Sequence, residues 1–257
     1  MKNYEHTLQL LDTLKLRGIV GNLDEELNDA EGQKVSYLTF LNSLLKREVA
    51  DRTERRLRRN MSAAHFPILK GIDEFEFGRV KGITKTDVSG LLDYRWLDNR
   101  DNLLFFGPPG LGKTHLAIAF GIKAVEAGYT VCFEKIVNLI GLLEVLKIQR
   151  TAAFRINKIL KVDLFIIDEI GYTPIERRQA NQFFNLISEL YEHTSIIITS
   201  NKSFDSWAEL MGDDVMTTAL LDRLLHHAKV FNLEGESYRI NNSKENAFGY
   251  DRAERGK

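Results

Sequence analysis

Residues 102–115 read NLLFFGPPGLGKTH: an apolar run of strand length, a loop of glycine and proline, and the start of a helical pattern that ends at Gly128. From Gly107 to Thr114 the loop has the spacing G-x-x-x-x-G-K-[ST]. Glycines let backbone N–H groups close around phosphate oxygens, and the helix that follows presents its positive end to the same anion. This is a nucleoside triphosphate loop in which Gly107, Pro108, Pro109, Gly110, Leu111 and Gly112 form the cradle. Lys113 is placed to reach the β and γ phosphates, and the Thr114 hydroxyl to ligate Mg2+.

Later apolar runs, YTVCFE, VDLFIID and SIIITS, alternate with helical patterns near 136–148, 177–192 and 216–228. Continuous rather than alternating apolar strands with helices between them predict an α/β fold, a parallel sheet sandwiched by helices. Magnesium held at such a loop needs a carboxylate from a neighbouring strand, and VDLFIIDEIG supplies Asp168 as metal ligand. The adjacent Glu169 is the candidate general base for water, which favours hydrolysis over phosphoryl transfer to a substrate. Asn201, at the end of SIIITSN, can position that water or sense the γ phosphate, since strand C-termini gather the ligand in a parallel sheet. Arg223 and Arg239 are either surface ion-pair residues or arginines that act on the transition state. His226 and His227 have no partner at metal-ligand spacing and read as structural.

Before residue 66 the pattern differs. Residues 4–60 are helical by spacing, with Leu8, Leu11, Leu14 and Ile19, then Leu38, Leu41, Leu44, Leu45 and Val49, and EGQ at 31–33 reads as a helix–helix connection. The expected organisation is a small α-helical domain over 1–65, an ATPase domain over 66–250, and a tail over 251–257. Net charge is −1 overall, so only local charge can indicate a polyanionic partner. Residues 1–31 carry a net −4 and residues 46–59 a net +4. Arg52, Arg55, Arg56, Arg58 and Arg59 are either cations complementing a helix C-terminus or a phosphate-contacting patch. The single cysteine, Cys132, reads as a buried structural thiol in a reducing compartment. With no signal-peptide core and no long apolar run, the expected location is cytoplasmic, with no membrane partner.

The motifs GPPGLGKTHLA, DLFIIDEIGYTP, TSIIITSN, FDSW, TTALLDRLLHHA and GESYRI together resemble the IstB-like ATP-binding proteins of bacterial insertion sequences, AAA+ ATPases related to replicative helicase loaders. The resemblance runs from about residue 4 to 245 and implies ATP-dependent homo-oligomerisation on duplex DNA in partnership with a transposase. It makes Gly107–Thr114 the Walker A loop, Asp168 and Glu169 Walker B, Asn201 sensor 1, Arg223 the arginine finger and Arg239 sensor 2. It also raises KIQRTAAFRINKILK, with Lys147, Arg150, Arg155, Lys158 and Lys161, as a DNA-facing element. Where relatives often carry an arginine before Tyr-Glu, this chain has Leu190. A helicase loader engaging single-stranded DNA, or an ATP-switched scaffold with incidental hydrolysis, shares the same ATPase motifs. No nuclease constellation is evident, which leaves strand cutting to the partner.

Overall fold

In a computed structural model, which describes residues 2–172 and 174–238, the apolar runs after residue 100 become parallel strands. The chain divides into two units, Met1–Asn60 and Met61–Lys257.

The first unit is helical: α1 (Lys2–Thr13), α2 (Arg17–Val20), α3 (Leu23–Gln33) and most of α4 (Tyr37–Ala64). Its core is small, with Ile19, Leu23 and Leu44 buried and Tyr4, Leu8, Leu11, Leu16, Leu27 and Phe40 packed around them. The buried Glu48 carboxylate accepts the Gly18 and Ile19 N–H groups at 2.7 and 3.2 Å, satisfying donors at the start of α2. A Cβ on Gly18 would lie 2.8 Å from the Glu48 Cα, so the close approach of α2 to α4 requires glycine there. The segment EGQ is not the connection expected from its composition. It forms the last turn of α3, and the chain turns at Lys34 in a left-handed conformation (φ 50°). Helical spacing also did not decide burial, because Leu14, Leu38, Leu41, Leu45 and Val49 are exposed.

In the second unit, β1 (Val80–Lys81) and the short helices α5 (Lys85–Leu91) and α6 (Arg95–Asp98) lead into the strand–loop–helix β2 (Asn102–Phe106) and α7 (Lys113–Glu126). There follow β3 (Val131–Lys135), α8 (Ile136–Glu144), α9 (Arg150–Ile159), β4 (Leu164–Ile170), α10 (Arg177–Leu190) and β5 (Ser195–Ser200). The described fold ends with α11 (Trp207–Met211), α12 (Asp214–Leu225), β6 (Ala228–Asn232) and β7 (Glu234–Gly235), which pairs antiparallel with β1. Helix α12 stops at Leu225, short of the helical pattern read to 228, because Ala228 already pairs with Asn102.

The five-stranded sheet has the order β3-β4-β5-β2-β6 with all pairs parallel. Leu104, Phe106, Phe165, Ile167, Ile196 and Ile198 pack under α8 to α12. Alternate residues face the other way, and Phe105 stacks on Phe120 of α7 at 6.1 Å. Both faces are covered, so β2, β4 and β5 are buried almost throughout. Cys132 is buried on β3, and burial pushes its thiol up to about 12.

The order corrects one expectation. Asp168 is not on the strand next to the phosphate loop, since β5 lies between β2 and β4. Any contact between loop and carboxylate must cross the end of β5.

Candidate functional site

The loop after β2 turns on three glycines with positive φ: Gly107 at 138°, Gly110 at 85° and Gly112 at 84°. A Cβ on Gly107 would meet the Leu233 carbonyl oxygen at 2.2 Å, so this position excludes a side chain on both counts. Gly112 caps α7, whose N-terminal N–H groups therefore point into the loop. The Lys113 ammonium donates to the carbonyls of Gly107 and Pro108 at 2.6 and 2.7 Å, folded back over the cradle it borders.

Asp168 is fully buried, and its Oδ1 accepts two hydroxyls, from Thr114 at 2.7 Å and from Thr199 at 2.5 Å. Thr199 stands on the intervening strand and also accepts the Glu169 N–H at 3.0 Å. The register slips between Ile167 and Ile170, and Glu169 takes a left-handed conformation (φ 67°). This bulge turns the Glu169 side chain out of the ladder, where it pairs with Lys135 at 2.8 Å. Burial, then the Glu169 charge, push the Asp168 carboxyl above its usual range, against the two hydroxyls and Lys135.

Two buried oxygens in this region have no hydrogen-bond partner: Asp168 Oδ2 and Asn201 Oδ1. An orphaned carboxylate oxygen beside a threonine hydroxyl suits a hard cation with oxygen ligands, so Thr114 and Asp168 fit Mg2+. A cavity of about 380 Å³ opens over the loop and contains Lys113, Thr114, Glu169 and Asn201 on its polar side. Ile68, Phe75, Val80, Leu111, Ile118 and Tyr238 contribute apolar surface to the same cavity. Its size and mixed walls fit a nucleotide.

Sequence reading missed several of these groups. Ile68, Phe75 and Val80 belong to no motif in the sequence, and Thr199 reads as an ordinary strand residue. Lys135 was detectable in principle, because it ends an apolar strand, where parallel sheets collect functional groups.

Arg223 is not brought to this loop. It lies on α12, its guanidinium donating to the Ala219 carbonyl at 2.9 Å and resting 4.8 Å over the Phe184 ring. It borders a cavity that also includes Asn102 and Ile196, at the starts of β2 and β5, the edge of the sheet opposite the loop. Arg239 lies outside the described residues. Leu190 is buried in the core, where an arginine would place a charge without water.

The basic candidates are unequal. All five arginines of α4 are exposed, but Arg52, Arg55 and Arg58 pair with Glu48, Asp51 and Glu54 one turn earlier, whereas no such pair is seen for Arg56 and Arg59 among the described residues. Lys147 and Arg150 are exposed beside Ile148, which is 84% accessible. Arg155 is instead committed to the interior. It pairs with Glu134 at 2.6 Å, both side chains under 15% exposed, and donates to the Phe133 carbonyl. Lys158 donates to the Ala63 carbonyl at 2.9 Å, capping the last turn of α4. Both of these residues are thus held by contacts within the second unit. Among the described residues no helix is long and apolar enough to cross a membrane.

The chain is similar to the putative ATP-binding protein of insertion sequence IS21 from Pseudomonas aeruginosa, 39% identical over 236 residues and covering 91% of this chain and 89% of the relative. It is likewise 39% identical over 211 residues to the putative ATP-binding protein of IS5376 from Geobacillus stearothermophilus, covering 82% and 84%. Among solved structures it resembles DnaI (TM-score 0.54, 15% identity, 64% of this chain and 91% of that one). It also resembles AMPPCP-bound DnaA from Aquifex aeolicus (TM-score 0.51, 24% identity, 72% and 56%). At these identities the structural likeness establishes the fold, that of AAA+ P-loop proteins. The family model of the IstB-like ATP binding proteins matches residues 9–246, and the chain belongs to that family.

Proposed function

We propose that this protein is an ATP-hydrolysing helper of insertion-sequence transposition, which assembles with copies of itself on duplex DNA to present that DNA to a transposase. The observation that carries the ATPase reading is the meeting of Thr114, Asp168 and Thr199 at the phosphate loop, with Asp168 Oδ2 left without a partner.

The roles follow from position. Lys113 exchanges its two carbonyl partners for phosphate oxygens, a stronger charge-assisted contact. Thr114 and Asp168 hold Mg2+, which neutralises phosphate charge when bound. Glu169 accepts the proton of the attacking water, and this requires its pair with Lys135 to open. Asn201 uses its unpartnered oxygen to orient that water. Arg223 lies on the opposite edge of the sheet from its own loop, which supports its completing the site of an adjacent copy rather than its own, so that hydrolysis depends on assembly. The helical segment 1–65 serves DNA binding or assembly, and the exposed cations Arg56, Arg59, Lys147 and Arg150 contact phosphates without reading sequence. The insertion-sequence names of the relatives support the transposition setting.

ATPase rate and particle size, measured with and without duplex DNA, test this reading. Duplex-stimulated turnover that rises with protein concentration is the expected result. A preference for single-stranded DNA would favour the helicase-loader reading, and turnover indifferent to DNA and concentration would overturn assembly-dependent catalysis.

A further inference from the structure

The ends of α10 and α12 meet at the N-terminal edge of the sheet. Helix α10 is followed by Tyr191 and Glu192, and α12 by His226 and His227. One ligating atom from each of Glu192, His226 and His227 lies within 4.8 Å of the others. No sequence spacing announces this set, because Glu192 precedes β5 while the histidines precede β6. The two histidines read as structural from sequence, and the structure sets a carboxylate beside them.

We propose that Glu192, His226 and His227 form a binding site for a divalent transition-metal ion of the zinc class. Two imidazoles and a carboxylate are the donor set of open, four-coordinate zinc sites, which keep one position for water. The same set is poorly matched to Mg2+, which prefers oxygen ligands in octahedral geometry, so the site is chemically distinct from Thr114 and Asp168.

Four further observations support it. The Tyr191 hydroxyl is 2.6 Å from His226 Nδ1, which orients the ring and leaves Nε2 open. Metal-bound histidines are commonly oriented by a partner on the other nitrogen in this way. The two histidine rings lie side by side, with centroids 4.1 Å apart. Both α10 and α12 direct their C-terminal, partially negative ends here, favouring a cation. All three ligands are exposed, so an ion has an entry path and the side chains have freedom to close on it.

Coordination would tie the end of α10 to the end of α12, one helical turn beyond Arg223. Tyr191, Glu192, Arg223 and His227 line one cavity of about 270 Å³, so the ion would order the wall on which Arg223 stands. The proposal does not depend on the role of Arg223.

The test uses the full chain without an affinity tag, stripped with chelator, held in excess Mg2+ and titrated with Co2+. The expected result is about one Co2+ per chain with the intense visible absorption of four-coordinate cobalt, displaced by Zn2+. Tyr191→Phe should weaken binding about tenfold, as loss of an orienting partner does. His227→Ala and Glu192→Gln should weaken it further and abolish the rise in melting temperature that Zn2+ gives the parent. His6→Ala, an exposed histidine in the first unit, should bind as the parent does. Binding with weak six-coordinate absorption, no binding, or retention of parental affinity in both His227→Ala and Glu192→Gln would overturn the proposal.

Discussion

The two edges of the parallel sheet treat buried polar groups in opposite ways. At the N-terminal edge they are satisfied. The Asn102 amide donates to the Leu224 carbonyl at 2.9 Å and accepts the Ile196 N–H at 2.8 Å, joining β2, β5 and α12. Thr194 donates to the Val162 carbonyl at 3.1 Å. At the C-terminal edge, Asp168 Oδ2 and Asn201 Oδ1 are buried with no partner, and Glu169 sits in a strained bulge. A buried polar atom without a hydrogen bond costs about 1–3 kcal/mol, so the fold tolerates at one edge what it avoids at the other. The tolerated cost lies where a cation and a water would remove it.

This contrast can be broken most sharply through hydrolysis. Glu169→Gln should reduce turnover by roughly 10²–10⁴-fold, the usual worth of a general base, while nucleotide binding persists. Parallel loss of binding would show that Glu169 holds the site together instead. Arg223→Ala, at the satisfied edge, should lower turnover about 10³-fold in assembled protein. Mixing it with Glu169→Gln chains should restore part of the activity, because each supplies what the other lacks. No restoration would confine catalysis to one chain.

Stability provides the next test. Asn102→Ala leaves the Leu224 carbonyl and the Ile196 N–H buried and unpaired, so it should cost about 2–4 kcal/mol in denaturant melts. Asn201→Ala removes a buried oxygen that has no partner, so it should leave stability unchanged or raise it by up to about 1–3 kcal/mol, while slowing hydrolysis. If the two costs are equal, the edges do not differ as described.

The smallest effect concerns pH. Asp168 has a folded pKa raised above its unfolded value, so the folded chain holds that proton more tightly. Its ionisation therefore opposes folding above the raised pKa, and that opposition fades as pH falls towards the ordinary carboxylate range. Asp168→Asn should raise the melting temperature at neutral pH, by an amount that shrinks on acidification, and should remove stabilisation by Mg2+. A melting temperature lowered at every pH would mean that the charge is already compensated by its two hydroxyl donors.

The first unit adds a different lesson. Its leucines repeat at helical spacing and do form helices, yet Leu38, Leu41, Leu45 and Val49 remain on the surface while Leu44 is inside. Periodicity selects the helix. Which stripe is buried depends on the helices laid against it, and Gly18 and Glu48 set that contact through a close backbone approach and two buried hydrogen bonds.

The phosphate loop, its flanking strand and helix, and the buried strands were legible from residue order. Each depends on neighbours in the chain: glycines at positive φ, a helix N-terminus, and apolar runs too continuous for a one-sided sheet. Asp168, Glu169 and Asn201 were legible as ends of such runs. Their geometry was not. Strand order inserted β5 between β2 and β4 and so made Thr199 the bridge to Asp168. The register slip aimed Glu169 at Lys135, and packing drew Arg155 and Lys158 inward. Folding also joined Glu192 to His226 and His227. These arrangements bring together side chains from separate strands and helices, whose distances are set by crossovers and burial, and no local spacing encodes them.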